Sequence, residues 1–276
     1  MAFWKKDEPI QIGSSFYNVD VTTGRIDREE TPSRLGTVFE RNPFLRKLPR
    51  ETRHNFLEET SGSAGLSASR TYPRGHELRG PSIGSSVHIV LTGCVLERTQ
   101  IGPSSTVRFL GAGAVLGCIE VFDDNTPPPM AKCLTKTWTL AIPLDRMRVL
   151  AEANPGLMRA IGSSVVDRME ATERIYNRHG MKPEQRLCGL LGHLLMHCAV
   201  PGREYDFMVE GPTQTDLADA LSLSIGSVEG ALTQLRKNKT VVTGYRSYEF
   251  PSVRRLLETS ELQFPQGSLA RTLASV

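Results

Sequence analysis

The chain has 276 residues, 39% of them hydrophobic, with 33 Arg/Lys against 30 Asp/Glu and a formal net charge of +3. That length suggests two modest domains with packed cores, and the near-balance of charge excludes a strong global basic field. The five cysteines, Cys94, Cys118, Cys133, Cys188 and Cys198, show no CxxC and no paired spacing, which argues against a zinc site, an iron–sulfur cluster or a disulfide framework and fits a reducing cytosol.

No cofactor and no resident metal are expected. The start, "MAFWKKDEPI", has no apolar stretch after its lysines and does not read as a signal peptide. No run approaches the roughly 18 apolar residues that span a bilayer, so the expectation is a cytoplasmic protein with no membrane partner.

Residues 1–35 are polar, with weak periodicity, and read as an N-terminal extension. Over Asn42–Glu59 a short amphipathic helix is expected, with Phe44, Leu45, Leu48 and Phe56 inward and Pro49 breaking it. From 70 to 145 short β-rich runs alternate with glycines, the pattern of a β-sandwich or β-roll. "DDNTPPP" (Asp123–Pro129) interrupts them as a stiff loop.

"LDRMRVLAEANP" reads as a short helix ended by Asn154-Pro155. A longer helix is expected from Pro155 to about His179. Met158, Ile161, Val165, Met169, Thr172, Ile175 and Tyr176 form a narrow stripe along it, the pattern of a helix–helix seam in a homodimer. The bland reading packs that stripe on its own domain.

"PEQRLCGLLGHLLMHCAV" (Pro183–Val200) opens a second, mainly helical domain, with proline at the first helical position. "TQTDLADALSLSIGSVEGALTQLRK" (Thr213–Lys237) then has the rhythm of a helix-turn-helix. Thr213 and Asp216 stand in capping-box positions, Leu217, Ala220 and Leu221 face inward, and Val228, Ala231, Leu232 and Leu235 pack the second helix. "TVVTGYRSYEF" reads as a hairpin wing around Gly244, and "PSVRRLLETSEL" as a closing helix. The divisions expected are 1–35, the extension; 36–146, the β-roll; 147–182, the connecting helix; 183–262, the winged helix-turn-helix; and 263–276, a C-terminal tail. The fold class is α+β.

In that order these stretches resemble the CRP/FNR family of bacterial regulators over about residues 42 to 257. "RTYPRGHELRGPSIGSSVHIVLTGCV" is similar to the family's strand, turn and strand, and "FLGAGAVLG" to its glycine-rich approach to the ligand cassette. "TLAIPLDRMRVLAEANPGLM" resembles the opening of its dimer helix, and "RLCGLLGHLL" the first helix of its DNA-binding domain. The resemblance implies a homodimeric, non-enzymatic transcription regulator that binds palindromic double-stranded DNA, with RNA polymerase a further candidate partner and an unidentified small molecule a candidate effector.

Family members that bind cyclic nucleotides carry Gly-Glu shortly before Arg-Ser or Arg-Ala. The carboxylate takes the ribose hydroxyl and the guanidinium the phosphate. Here "LGCIEVFDDNTPPPMAKC" keeps Gly117 but puts Cys118 at the Glu position and Pro127-Pro128 near the Arg-Ser position. Glu120 comes two residues late, on the wrong face if the segment is a strand. The resemblance therefore implies a degenerate effector pocket, Gly117, Cys118, Glu120, Pro127 and Pro128, that takes no cyclic nucleotide in the usual mode. Cys118 reads as an inert buried thiol, and His88, His193 and His197 as ordinary histidines rather than haem or metal ligands.

The outward face of the second helix lacks the arginine and glutamate that read bases in such regulators: Ile225, Gly226 and Gly230 hold the matching positions. Ser224, Ser227 and Thr233 are left to carry specificity. From Pro183 onward there are nine Arg/Lys against ten Asp/Glu, but between Arg236 and Arg255 six bases (Arg236, Lys237, Lys239, Arg246, Arg254, Arg255) face only Glu249. Phosphate contact is expected from that cluster, chiefly Arg236, Lys237, Lys239 and Arg246. The competing expectation is a protein-interaction or scaffold protein on the same chassis, docking through the glycine-bearing helix or the extension.

Overall fold

The computed structural model describes residues 18–20, 26–27, 38–61, 68–80, 86–101 and 104–262. The 263–276 tail and most of the extension lie outside the described residues. The chain divides into two compact units, 1–93 with 112–166, and 94–111 with 167–276.

The first unit is built on a six-stranded sheet in the order β2-β1-β3-β10-β5-β8. Its strands are β1 Asn18–Asp20, β2 Ile26–Asp27, β3 Ala68–Tyr72, β5 Ser86–Thr92, β8 Val115–Leu116 and β10 Thr137–Pro143. The extension thus supplies two short strands, β1 running parallel to β3 at one edge. A second pairing joins β4 (Glu77–Arg79) to β9 (Met130–Cys133). The core comes from alternation: Val87, Ile89 and Leu91 of β5 and Leu140 and Ile142 of β10 are buried together.

Helices close that core. A 3-10 turn at Leu45–Lys47 precedes α1 (Arg50–Ser61), with Pro49 between them as expected. Asn42 Oδ1 accepts from the amides of Phe44 and Leu45, while its Nδ2 donates to the Val90 carbonyl at 2.9 Å, fixing the turn to the sheet. Helix α2 (Leu144–Ala153) stops before Pro155, and Asn154 Oδ1 caps the next helix by accepting from Gly156 and Leu157.

That next helix, α3, spans Pro155–Ala171 and then widens into a π-turn over Thr172–Tyr176. The expected single helix to about His179 is therefore shorter. Thr172 Oγ1 bonds back to the Arg168 carbonyl at 2.8 Å, a habit of threonine that bends helices, and Asn177 then leaves helical geometry.

The second unit holds the hairpin β6 (Val95–Ile101) and β7 (Ser104–Leu110), helix α4 (Pro183–Cys198), and a four-stranded sheet in the order β11-β12-β14-β13. Those strands are β11 Ala199–Pro201, β12 Phe207–Glu210, β13 Val242–Gly244 and β14 Ser247–Glu249. Helices α5 (Gln214–Leu221), α6 (Ile225–Lys237) and α7 (Val253–Ser260) complete the unit. Leu187, Leu190, Leu191, Leu194 and Leu195 of α4 are all buried, so α4 is the hub of this unit. The amide of Phe109 donates to the Tyr176 hydroxyl at 3.0 Å, and Arg168 pairs with buried Glu97, which seats the β6–β7 hairpin on the same unit.

Candidate nucleic-acid interface and sensor cassette

In the cassette, residues 117–122 form turns rather than a strand, so the objection that Glu120 points the wrong way does not hold. Glu120 is buried, and its Oε1 lies 2.8 Å from Nη2 of Arg79, itself buried on β4. Gly117 has φ +86, and a Cβ there would meet Arg79 Nη1 at 2.2 Å. Glycine is thus required twice, by conformation and by the guanidinium lying against it. Arg148 of α2 donates to the Glu120 carbonyl and pairs with Asp124, tying the cassette turn from outside.

Cys118 is buried. Pro127 is exposed and Pro128 half-buried, away from the buried environment of the Arg79–Glu120 pair. The sequence reading missed Arg79 because a pair separated by 41 positions leaves no local signature.

His88, on β5 of the six-stranded sheet, is buried with Nδ1 3.2 Å from Thr139 Oγ1. Burial first, then the charges of Arg79, Arg70 and His76, push its imidazole down to about 3. The arrangement keeps His88 neutral. His193 of the second unit is likewise held down to about 3, by burial and then by His197, whose ring centroid is 4.7 Å away. Among the described residues no group of three or more His, Cys, Asp or Glu could hold a metal ion, and no helix is long and apolar enough to cross a membrane.

The helix-turn-helix frame forms as its residues dictate. Thr213 Oγ1 accepts from the Asp216 amide at 3.1 Å while Asp216 Oδ2 accepts from the Thr213 amide at 2.8 Å, a closed capping box on α5. Ser222 ends α5 in the left-handed region, and Ser224 caps α6 by accepting from the Ser227 amide at 3.0 Å. Val228, Ala231, Leu232 and Leu235 are buried.

The outward hydroxyls are already engaged. Ser224 and Ser227 share a hydrogen bond of 2.8 Å, and Thr233 donates to the Glu229 carbonyl at 2.8 Å while accepting from Arg236 at 2.9 Å. Gly226 and Gly230 are exposed; beyond its own helical turn no atom of the described residues lies within 4 Å of a Cβ at Gly230, and at Gly226 only Ser224 Oγ touches that limit.

The basic end behaves differently. Arg236, Lys237 and Lys239 are exposed. Arg236 reaches Thr243 of the wing at 3.3 Å, and Arg255 donates to the Asn238 carbonyl, bracing the helix end. Lys239 (φ 52) and Arg246 (φ 54) occupy left-handed conformations that favour glycine.

Glu249, the one acid within the cluster, is turned inward. Its Oε2 accepts from the amides of Arg203, Glu204 and Tyr205 at 3.0–3.3 Å, and these bonds hold its carboxyl below the usual range. Arg236, Lys237 and Lys239 are thus left outward without that acid, while Arg246 is half-buried and Arg254 pairs with Glu258 at 2.7 Å. That inward turn is invisible in a charge count.

Along α3, Ile161 is buried in the core of the first unit, and Met158 and Val165 pack against that core. Ile175 and Tyr176 are buried in the second unit and Thr172 is half-buried. Of the seven stripe residues only Met169 stays open, at 65% exposure, with Val166 beside it at 52%.

The fold is that of the CRP/FNR regulators: a β-roll, a connecting helix and a winged helix-turn-helix, in that chain order. The chain is similar to FixK2 from Bradyrhizobium japonicum at 18% identity and a TM-score of 0.58, over 72% of this chain and 100% of that one. It is similar to the regulator CLP of Xanthomonas campestris, described as responsive to c-di-GMP, at 17% identity and a TM-score of 0.56, over 74% and 100%. A transcriptional regulator of the CRP family from Thermus thermophilus matches at 14% identity and a TM-score of 0.56, over 69% and 95%. No protein-family model and no curated protein sequence matches the chain.

Proposed function

We propose that the chain is a cytoplasmic, homodimeric DNA-binding transcription regulator, not an enzyme, that works without a cyclic nucleotide bound in the usual mode. The observation that carries this reading is the acid-stripped basic end of α6 and the wing, where Arg236, Lys237, Lys239 and Arg246 gather while Glu249 is consumed by backbone amides. Such a surface neutralises phosphates and gives affinity that falls with salt. The Arg79–Glu120 pair supports the second half in part: the carboxylate already takes Nη2 of the guanidinium, while Nη1 is buried without a hydrogen-bond partner among the described residues. Exposed Val166 and Met169 support pairing of two copies along α3.

The division into 1–35, 36–146, 147–182, 183–262 and 263–276 remains our proposal for the functional parts. RNA polymerase and an unidentified small molecule are proposed as further partners.

The test is an equilibrium titration of the full chain with a labelled pool of mixed-sequence duplexes across a salt series. Wild type is expected to bind at low salt with a linear log–log salt dependence. K237E/K239E is expected to lower the slope by about 1.8, two phosphate contacts at about 0.9 each, and to weaken binding at least tenfold. Calorimetry with cyclic AMP and cyclic GMP is expected to show no saturable binding at micromolar nucleotide. Failure of wild type to bind duplex, or indifference of the double reversal, overturns the DNA reading and favours the scaffold.

A further inference from the structure

The wing ends in a two-residue turn, Tyr245-Arg246, between the paired residues Gly244 and Ser247. Tyr245 is 87% exposed, more than any other large apolar side chain among the described residues. An exposed apolar residue is ordinary in itself. This one differs in how firmly its backbone is held.

The Gly211 amide donates to the Arg246 carbonyl at 2.9 Å, tying the tip to the segment just before α5. One residue pair back, Thr243 stands opposite Tyr248, whose side chain is buried. Arg246 accepts a left-handed φ of 54 at a turn position where glycine is easiest, which places a half-buried basic residue next to Tyr245 in the chain. A firmly tied hairpin tip thus presents an unburied aromatic ring.

We propose that Tyr245 is a specificity-determining residue that enters the minor groove of duplex DNA and selects A·T-rich sequence there, with Arg246 next to it in the chain. The inference rests on the DNA-binding reading above and assigns where sequence discrimination comes from. Three arguments carry it. The α6 hydroxyls that face out are bonded to their own helix, leaving the helix few free reading groups. A two-residue tip is slim enough for a groove about 6 Å wide, which at A·T pairs offers only acceptors, A N3 and T O2, to a donating phenol. At G·C pairs the guanine N2 amino group stands on the groove floor and meets the ring instead. A narrow A·T minor groove also concentrates the negative potential that draws arginine.

The experiment uses the full chain and three labelled duplex pools whose flanks are A·T-only, G·C-only, or inosine·cytosine. Inosine removes the N2 amino group and leaves the major-groove edges of guanine. Wild type is expected to favour the A·T and inosine pools over the G·C pool by roughly tenfold, the scale of one read base pair. Y245A is expected to melt as wild type does and to lose that preference. K237E/K239E is expected to weaken binding to all three pools while keeping the preference.

An inosine pool that behaves like the G·C pool, or a Y245A protein that keeps the wild-type preference, overturns the proposal. Equal wild-type binding to all three pools also overturns it and leaves the DNA reading standing. Absence of binding to any pool removes both.

Discussion

The cassette and the basic end of the head handle charge in opposite ways. In the cassette a cation and an anion are drawn inside and matched to each other, Arg79 against Glu120. In the head the anion is drawn inside and spent on backbone amides, while Arg236, Lys237 and Lys239 stay exposed. A buried ion pair, even with Arg79 Nη1 left without a hydrogen-bond partner, presents less field to a ligand than exposed bases, which act over about a Debye length. The two regions differ for that reason: the first holds a shape, the second presents positive charge to solvent.

The largest effect expected from breaking this contrast is in the cassette. E120A strands Arg79 as an uncompensated buried charge, and loss of one partner of a buried pair costs about 3–5 kcal/mol. Thermal and urea unfolding of the full chain should show that loss in the transition of the first unit. The double substitution R79M/E120L should recover most of it, since apolar replacements of a buried pair are close to neutral. Duplex binding by the double variant should match wild type. If E120A melts like wild type, the pair is not closed in solution and the cassette is open to an anionic ligand.

A smaller effect tests how dry each region is. His88 and His193 both have folded values near 3 against an ordinary value of 6.5. Between those values the unfolded chain binds more protons than the folded one, so stability rises with pH through the window and is lost as pH falls from about 6.5 toward 3. Each group contributes at most about 1.4 kcal/mol per pH unit. Between pH 5 and 6.5, above the range where most carboxylates titrate, H88Q should reduce the slope of stability against pH by about half. A slope unchanged by H88Q would place water beside His88 and make the first unit less tightly closed than the pair suggests.

Sequence carried the architecture well and the charge economy poorly. The capping box at Thr213 and Asp216, the inward row Val228, Ala231, Leu232 and Leu235, and the wing around Gly244 are local patterns with fixed spacing, and all three form. Arg79 with Glu120, and Glu249 with the 203–205 amides, are pairings across the fold, which no local period encodes. The α3 stripe shows the same limit from the other side. Its period is helical, but Ile161, Ile175 and Tyr176 are buried within their own units rather than along one outer face. Tyr245 had a signal that charge counting passed over: an aromatic directly after the turn glycine of a hairpin.

The smallest predicted effect asks whether the head attracts DNA only by charge or also by shape. Gly230 sits inside α6, and beyond its own helical turn no atom of the described residues comes within 4 Å of the Cβ it lacks. Its internal cost is real, since glycine in a helix interior is about 1 kcal/mol less favourable than alanine. No contact within the fold calls for the glycine, so a methyl group there is tolerated by the chain itself. G230A is expected to raise stability by about 1 kcal/mol, a shift of a few degrees in Tm, and to weaken duplex binding severalfold without changing its salt slope. A changed slope would mean that phosphate contacts had moved. Raised stability with unchanged binding would mean that the α6 face stands clear of the duplex, leaving recognition to the basic end and the wing tip.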